Sequence, residues 1–222
     1  MIAKTLIKTN NTNRLLQIAM ILSLITIFYN LAEGVISTFF GAEDETLALF
    51  GFGVDSFVEV ISGLGIAHMI WRMRNNSVEK RDSFEITALR ITGVAFYILT
   101  AGLVAGSVLT LYLGSKPETT VVGIIISVIS IFTMYFLYRF KLNVGEKLDS
   151  APIISDAKCT KTCFYLSFIL LGSSTLYELF SVPFIDALGS LGIAWYAFKE
   201  GREAFEKAKT GKVTCCDDNC HT

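Results

Sequence analysis

The sequence has little charge and little proline. Only 18% of its 222 residues are Asp, Glu, Lys or Arg, whereas 52% are hydrophobic, and soluble domains carry about 25% charged residues. Three prolines are too few for a proline-rich disordered chain. The formal net charge is −1, whereas nucleic-acid-binding proteins carry an excess of Lys and Arg, so no nucleic-acid partner is expected. The alternating segments of an outer-membrane barrel are also missing.

What the chain does have is long runs without any charge, such as residues 91–113 and 121–138. An apolar run of about 18 residues or more is typical of a helix that crosses a membrane. We therefore predict an all-α, polytopic membrane protein with six transmembrane helices, at about residues 15–40, 47–72, 84–113, 120–139, 153–180 and 184–205.

Basic residues occur in every second connection along the chain. They are Lys4, Lys8 and Arg14 before span one, Arg72, Arg74, Lys80 and Arg81 after span two, Arg139, Lys141 and Lys147 after span four, and Lys199, Arg202, Lys207, Lys209 and Lys212 at the end. Because loops rich in Lys and Arg stay inside, both termini are predicted to be cytoplasmic. This gives a cytoplasmic segment at 1–14, a six-helix domain at 15–205 and a short cytoplasmic tail at 206–222, in a protein of the plasma (inner) membrane.

Ionisable residues inside the spans indicate where the chemistry lies, because a charge at mid-membrane costs about 2.5–3.5 kcal/mol on insertion scales. Spans one, two, five and six carry them: Glu33, Asp55, Glu59, Asp156, Glu178 and Asp186. Asp55 and Glu59 are four residues apart, which puts both carboxylates on one helix face. A cation between them would relieve their repulsion; the alternative is a protonated pair that hydrogen-bonds between helices.

Cys159 and Cys163 repeat this spacing in span five, at a depth similar to that of the two acids. Cysteine by itself is a common small core residue, and a redox pair is another interpretation. Together, however, the two pairs supply four oxygen and sulfur ligands, a set that suits tetrahedral Zn²⁺ or a softer ion.

Four segments resemble a known family: LFGFGVDSFVEVISG at 49–63, SDAKCTKTCFYLS at 155–167, NLAEG at 30–34 and FIDALGSLG at 184–192. They are similar to the cation diffusion facilitators, six-span exporters of divalent metals. The resemblance implies that Asp55, Glu59, Cys159 and Cys163 are the metal ligands. It also matches Asp156 and Asp186 to acids that begin the family's fifth and sixth spans.

The sequence departs from that family in two ways. The family's usual C-terminal cytoplasmic domain has no counterpart here, so dimerisation through that domain is not expected, and a homodimer is left open. The two cysteines stand where the family usually has His and Asp, and thiolates favour Zn²⁺ or Cd²⁺ over Mn²⁺.

We therefore expect a transporter rather than an enzyme, without a cofactor, whose partners are the lipid bilayer and a divalent metal. Efflux of Zn²⁺, with Cd²⁺ or Co²⁺ as alternatives, is expected in exchange for protons. A membrane-embedded metal sensor or scaffold that does not transport is the main alternative, and a thiol redox protein is the second.

Other residues have secondary expectations. Asn30 and Glu33 lie one turn apart in span one. Together with Asp156 and Asp186 they are expected near the site or on the ion pathway, with helix packing as the alternative for Glu33. His68, beside Trp71 and Arg72, is expected at the membrane interface. Possible tail ligands for a metal ion are Cys215, Cys216, Cys220 and His221; the alternative is a dispensable chain end.

Overall fold

The computed structural model describes residues 2–44, 46–75, 83–113, 120–180, 182 and 184–210, with side chains from residue 12 onwards except at 151, 152 and 155. Over this part of the chain the fold is six α-helices without a strand. The helices are α1 (Ile2–Glu43), α2 (Leu47–Asn75), α3 (Ser83–Leu113), α4 (Val121–Leu148), α5 (Ala151–Phe180) and α6 (Phe184–Thr210). The predicted all-α fold is confirmed.

Helices α1 to α5 are each long and apolar enough to cross a membrane. Helix α6 does not reach the same apolarity, because charges crowd its second half between Lys199 and Lys209. Its 27 residues still extend about 40 Å at 1.5 Å per residue, and it lies against α2, α3 and α5. We therefore treat it as the sixth span. With six spans, both chain termini lie at one end of the bundle, here called the terminal end; the opposite end is the far end.

Helices α1 and α4 extend furthest beyond the predicted spans. Helix α1 begins at Ile2, and α4 continues to Leu148, because charged residues do not end a helix once the apolar span is complete. The chain turns at Asp149, whose φ of 50° is left-handed and whose N–H bonds to the carbonyl of Glu146 at 3.1 Å. Lys141, predicted in a loop, is therefore inside α4, and its side chain is buried.

Helix α2 is central, in contact with α1, α3, α5 and α6. Buried apolar residues join four of these helices: Leu49 and Phe52 of α2, Leu103 of α3, Leu170 of α5 and Ile193 of α6. Large apolar side chains on the outside, such as Phe28, Ile98 and Trp195, form the surface expected to face lipid. Small residues let the helices approach closely, as is common in membrane bundles.

Gly53 illustrates the close approach of α1 and α2, since a Cβ there would lie 2.6 Å from the backbone nitrogen of Thr38. We expect Gly53→Ala to destabilise the protein by about 1–3 kcal/mol through overpacking. Gly102 is the matched control, because a Cβ there would meet nothing within 4 Å. Gly102→Ala should be neutral or stabilise by about 0.5–1 kcal/mol. Thermal unfolding in detergent measures both, and equal effects would contradict the packing argument.

Candidate metal site

Three of the four predicted ligands line one cavity. Glu59 of α2 and Cys159 and Cys163 of α5 surround a space of about 40 Å³, room for more than one water-sized probe. With the other lining residues, all six helices contribute to the cavity: Ser23, Thr26, Asn30, Ser62, Gly63, Phe96, Lys141, Asp156, Thr160 and Glu200. Of the two acids of α2 that the spacing argument assigned to the site, Glu59 lies beside the cysteines of α5 in this cavity.

Both carboxylate oxygens of Glu59 accept a hydrogen bond across a helix boundary. The Cys163 thiol donates to Oε1 at 2.5 Å, and the Asn30 side-chain amide donates to Oε2 at 2.9 Å. Cys159 and Cys163 are free thiols, so no disulfide joins them. Cys163 and Glu59, two of the predicted metal ligands, are therefore in direct contact.

Asp55, the fourth predicted ligand, is buried one turn closer to the far end of α2 and does not line the cavity. It is within electrostatic reach of Glu59, Glu200 and Glu33. Within the described ranges, no three His, Cys, Asp or Glu side chains are grouped closely enough to hold a metal ion. The four-ligand assignment thus stays a prediction, and a metal ion would be held only after these side chains move closer together.

A buried ion pair closes one side of the cavity. Lys141 Nζ lies 3.1 Å from Asp156 Oδ1 and 3.0 Å from Thr160 Oγ1, and Ser23 Oγ is 3.4 Å from Asp156 Oδ2. Asp156 was predicted near the site or pathway, but its cationic partner was missed. The sequence signal that indicates a buried cation here is a single lysine, Lys141, between the apolar residues Phe140 and Leu142, provided that α4 continues past it.

Glu200 of α6 is a second cavity residue that sequence reasoning missed. Its Oε1 accepts a hydrogen bond from Thr162 Oγ1 of α5 at 3.0 Å. The charged run around it reads as the solvated end of a helix, and nothing in the sequence separates Glu200 from its charged neighbours. Only the packing of α6 against α5 places it at the cavity.

Glu33 lies outside the cavity lining, in a hydrogen-bond network of its own. Its carboxylate accepts from Tyr29 OH at 2.9 Å and from Ser56 Oγ at 3.1 Å. Asp186 belongs to α6 and lies farther from the cavity, beside the start of α2. It accepts hydrogen bonds from the backbone N–H groups of Leu47 at 2.9 Å and Ala48 at 3.2 Å. A carboxylate in this position stabilises the N-terminus of a helix, so its observed contacts are those of a cap.

His68 also lies apart from the cavity. Its Nδ1 is 3.5 Å from Glu85 Oε1, which Arg72 contacts at 2.7 Å. This group joins the end of α2 to the start of α3, at the terminal end where an interfacial residue was expected. The tail residues Cys215, Cys216, Cys220 and His221 lie outside the described residues.

Comparison with known proteins relates this arrangement to metal efflux proteins. A family profile described as the cation efflux transmembrane domain matches residues 16–210. The chain is 28% identical over 145 residues to transmembrane protein 163 of Xenopus laevis, covering 65% of this chain and 50% of that protein. It is 24% identical over 201 residues to the manganese efflux system protein MneP of Bacillus subtilis strain 168, covering 84% of this chain and 66% of MneP. This chain therefore spans about half of the first relative and about two thirds of the second.

We predict that Lys141→Met will destabilise the fold by about 3–5 kcal/mol, because it leaves the buried Asp156 carboxylate without its cation. The double variant Lys141→Met/Asp156→Leu should recover most of that loss, since no charge then stays buried alone. Lys147→Met, at an exposed position of the same helix, is the control and should be neutral. Thermal unfolding of the purified protein measures all three, and a double variant no better than the single one would refute the pairing.

Proposed function

The chain belongs to the cation efflux family, and on that premise we propose that it exports Zn²⁺ or a similar thiophilic divalent ion from the cytoplasm in exchange for protons. The distribution of Lys and Arg supports cytoplasmic termini. The cavity lies closer to the terminal end than Asp55 does, so in this orientation it is on the cytoplasmic side. Metal would load there and leave after the helices open towards the far end.

The observation that carries the proposal is the hydrogen bond from Cys163 to Glu59. Thiols and carboxylates bind a metal ion only in their ionised forms, so metal and protons compete for the same atoms. The proton between Cys163 and Glu59 must leave before a cation can bind both. Loading a cation from one side and a proton from the other is the chemistry of an exchanger.

The sulfur ligands support a thiophilic ion. Thiolates favour Zn²⁺, Cd²⁺ and related ions, whereas carboxylate and carbonyl oxygens suit Mn²⁺. Manganese export is the second candidate, because one relative is a manganese efflux protein and because Asn30, Glu59 and Glu200 bring oxygen atoms to the cavity lining.

We expect Glu59→Ala, Cys163→Ala and Asp55→Ala each to abolish metal uptake into everted vesicles while the protein stays inserted. Glu146→Gln, at an exposed position of α4, is the control and should transport like the wild type. Zn²⁺, Cd²⁺ and Mn²⁺ are assayed in parallel with metal-sensitive dyes. Metal binding by the wild type without uptake would identify a sensor or scaffold and contradict the proposal.

The second expectation concerns protons. Apparent metal affinity should fall as pH is lowered from about 8 to about 6, because protons compete for the thiolate and carboxylate ligands. In proteoliposomes with a pH-sensitive dye inside, an imposed metal gradient should move protons in the opposite direction to the metal. Metal flux without proton flux, together with an affinity that is flat with pH, would refute the exchange.

A further inference from the structure

The side-chain oxygen of Asn30 is a buried acceptor without a hydrogen-bond partner in the described part of the chain. Its neighbour explains why. A carboxylate can only accept, so the Asn30 amide nitrogen faces Glu59 Oε2 and the oxygen is directed elsewhere. Asn30 is only 1% exposed and lines the cavity. A buried acceptor without a hydrogen-bond donor costs free energy. Beside a cation site, the same oxygen would bind the ion.

Glu200 brings a further oxygen donor to the same cavity from another helix. It lines the cavity together with Glu59 and Cys159, and Thr162 of α5 holds one of its oxygens. The cavity therefore has an oxygen donor from α1, one from α2 and one from α6, in addition to the two thiols of α5. These five side chains outnumber the four ligands that the spacing of Asp55, Glu59 and the cysteines predicts.

We propose that the exported cation is bound in this cavity directly by the amide oxygen of Asn30 and the carboxylate of Glu200, in addition to Glu59 and the thiolates. This rests on the proposed function and extends it. The site has an oxygen side, drawn from α1, α2 and α6, and a sulfur side on α5. Oxygen ligands suit Mn²⁺ and sulfur ligands suit Cd²⁺, so the two sides contribute differently to the binding of different metals.

The test measures binding of Mn²⁺ and of Cd²⁺ by isothermal titration calorimetry to the full chain in lipid nanodiscs. Asn30→Leu and Glu200→Ala should each weaken Mn²⁺ binding by at least about tenfold but Cd²⁺ binding by less than about threefold, because the thiolates remain. Asn30→Asp keeps a side-chain oxygen and should retain Mn²⁺ binding. Glu203→Gln is the matched control: Glu203 lies close to Glu200 on α6 but outside the cavity, where it pairs with Lys207, and its loss should change neither affinity.

The pattern across the two metals separates ligation from structural damage. Equal weakening for Mn²⁺ and Cd²⁺ would indicate a general disturbance and would overturn the inference, as would unchanged Mn²⁺ binding. If Asn30→Leu or Glu200→Ala is not monodisperse in detergent, Asn30→Ser and Glu200→Gln replace them with the same direction expected.

The same experiment distinguishes this inference from the proposed function. Binding that is lost in Glu59→Ala and Cys163→Ala but unchanged in Asn30→Leu and Glu200→Ala leaves the proposed function standing and overturns only the added ligands. Binding that is unchanged in all four variants overturns both, since the cavity would then not be the metal site.

Discussion

The hydrogen bond between Cys163 and Glu59 joins α5 to α2 in the interior of the bundle, and the chemistry of the cavity depends on it. A carboxylate inside a membrane protein needs a partner, because an unpaired charge there is costly. Glu59 has two such partners, the Cys163 thiol and the Asn30 amide. A divalent cation could replace the thiol proton and neutralise the same groups. The site can thus be balanced in two ways, by a proton or by a metal, and an exchanger needs such a pair of states.

The ion pair of Lys141 and Asp156 has a different character. Its cation is covalently attached to the protein and is held by Thr160 as well as by the carboxylate. Asp156 is therefore neutralised without a metal, although it lines the same cavity. The positive charge of Lys141 also acts electrostatically on Glu59. Because this cation is fixed to the protein, it limits how much further positive charge the cavity can hold.

The parts of this structure that the sequence predicted are those set by local periodicity. Uncharged runs predicted the helices. The two four-residue spacings, at similar depth, predicted one site of two acids and two cysteines, and the structure brings Glu59 and Cys163 into contact but leaves Asp55 outside the cavity. Charge alone misled in one place, since it put Lys141 in a loop, and it gave no reason to single out Glu200 from the charged residues around it. In both cases the partner lies on another helix, Asp156 for Lys141 and Thr162 for Glu200. Such pairs depend on how helices pack, and one sequence without that packing does not reveal them.

A buried apolar cluster lies between the cavity and the far end. Phe52 of α2, Leu170 of α5 and Ile193 of α6 belong to one buried apolar cluster. On each of these helices the cluster residue lies nearer the far end than the cavity residues do. On these helices the cluster therefore places an apolar contact between the cavity and the far end, while the buried Asp55 and Ser56 of α2 lie between Phe52 and Glu59. In the proposed transport cycle, passage to the far end would require α2, α5 and α6 to separate at this cluster, and the free energy of that apolar contact would contribute to the barrier.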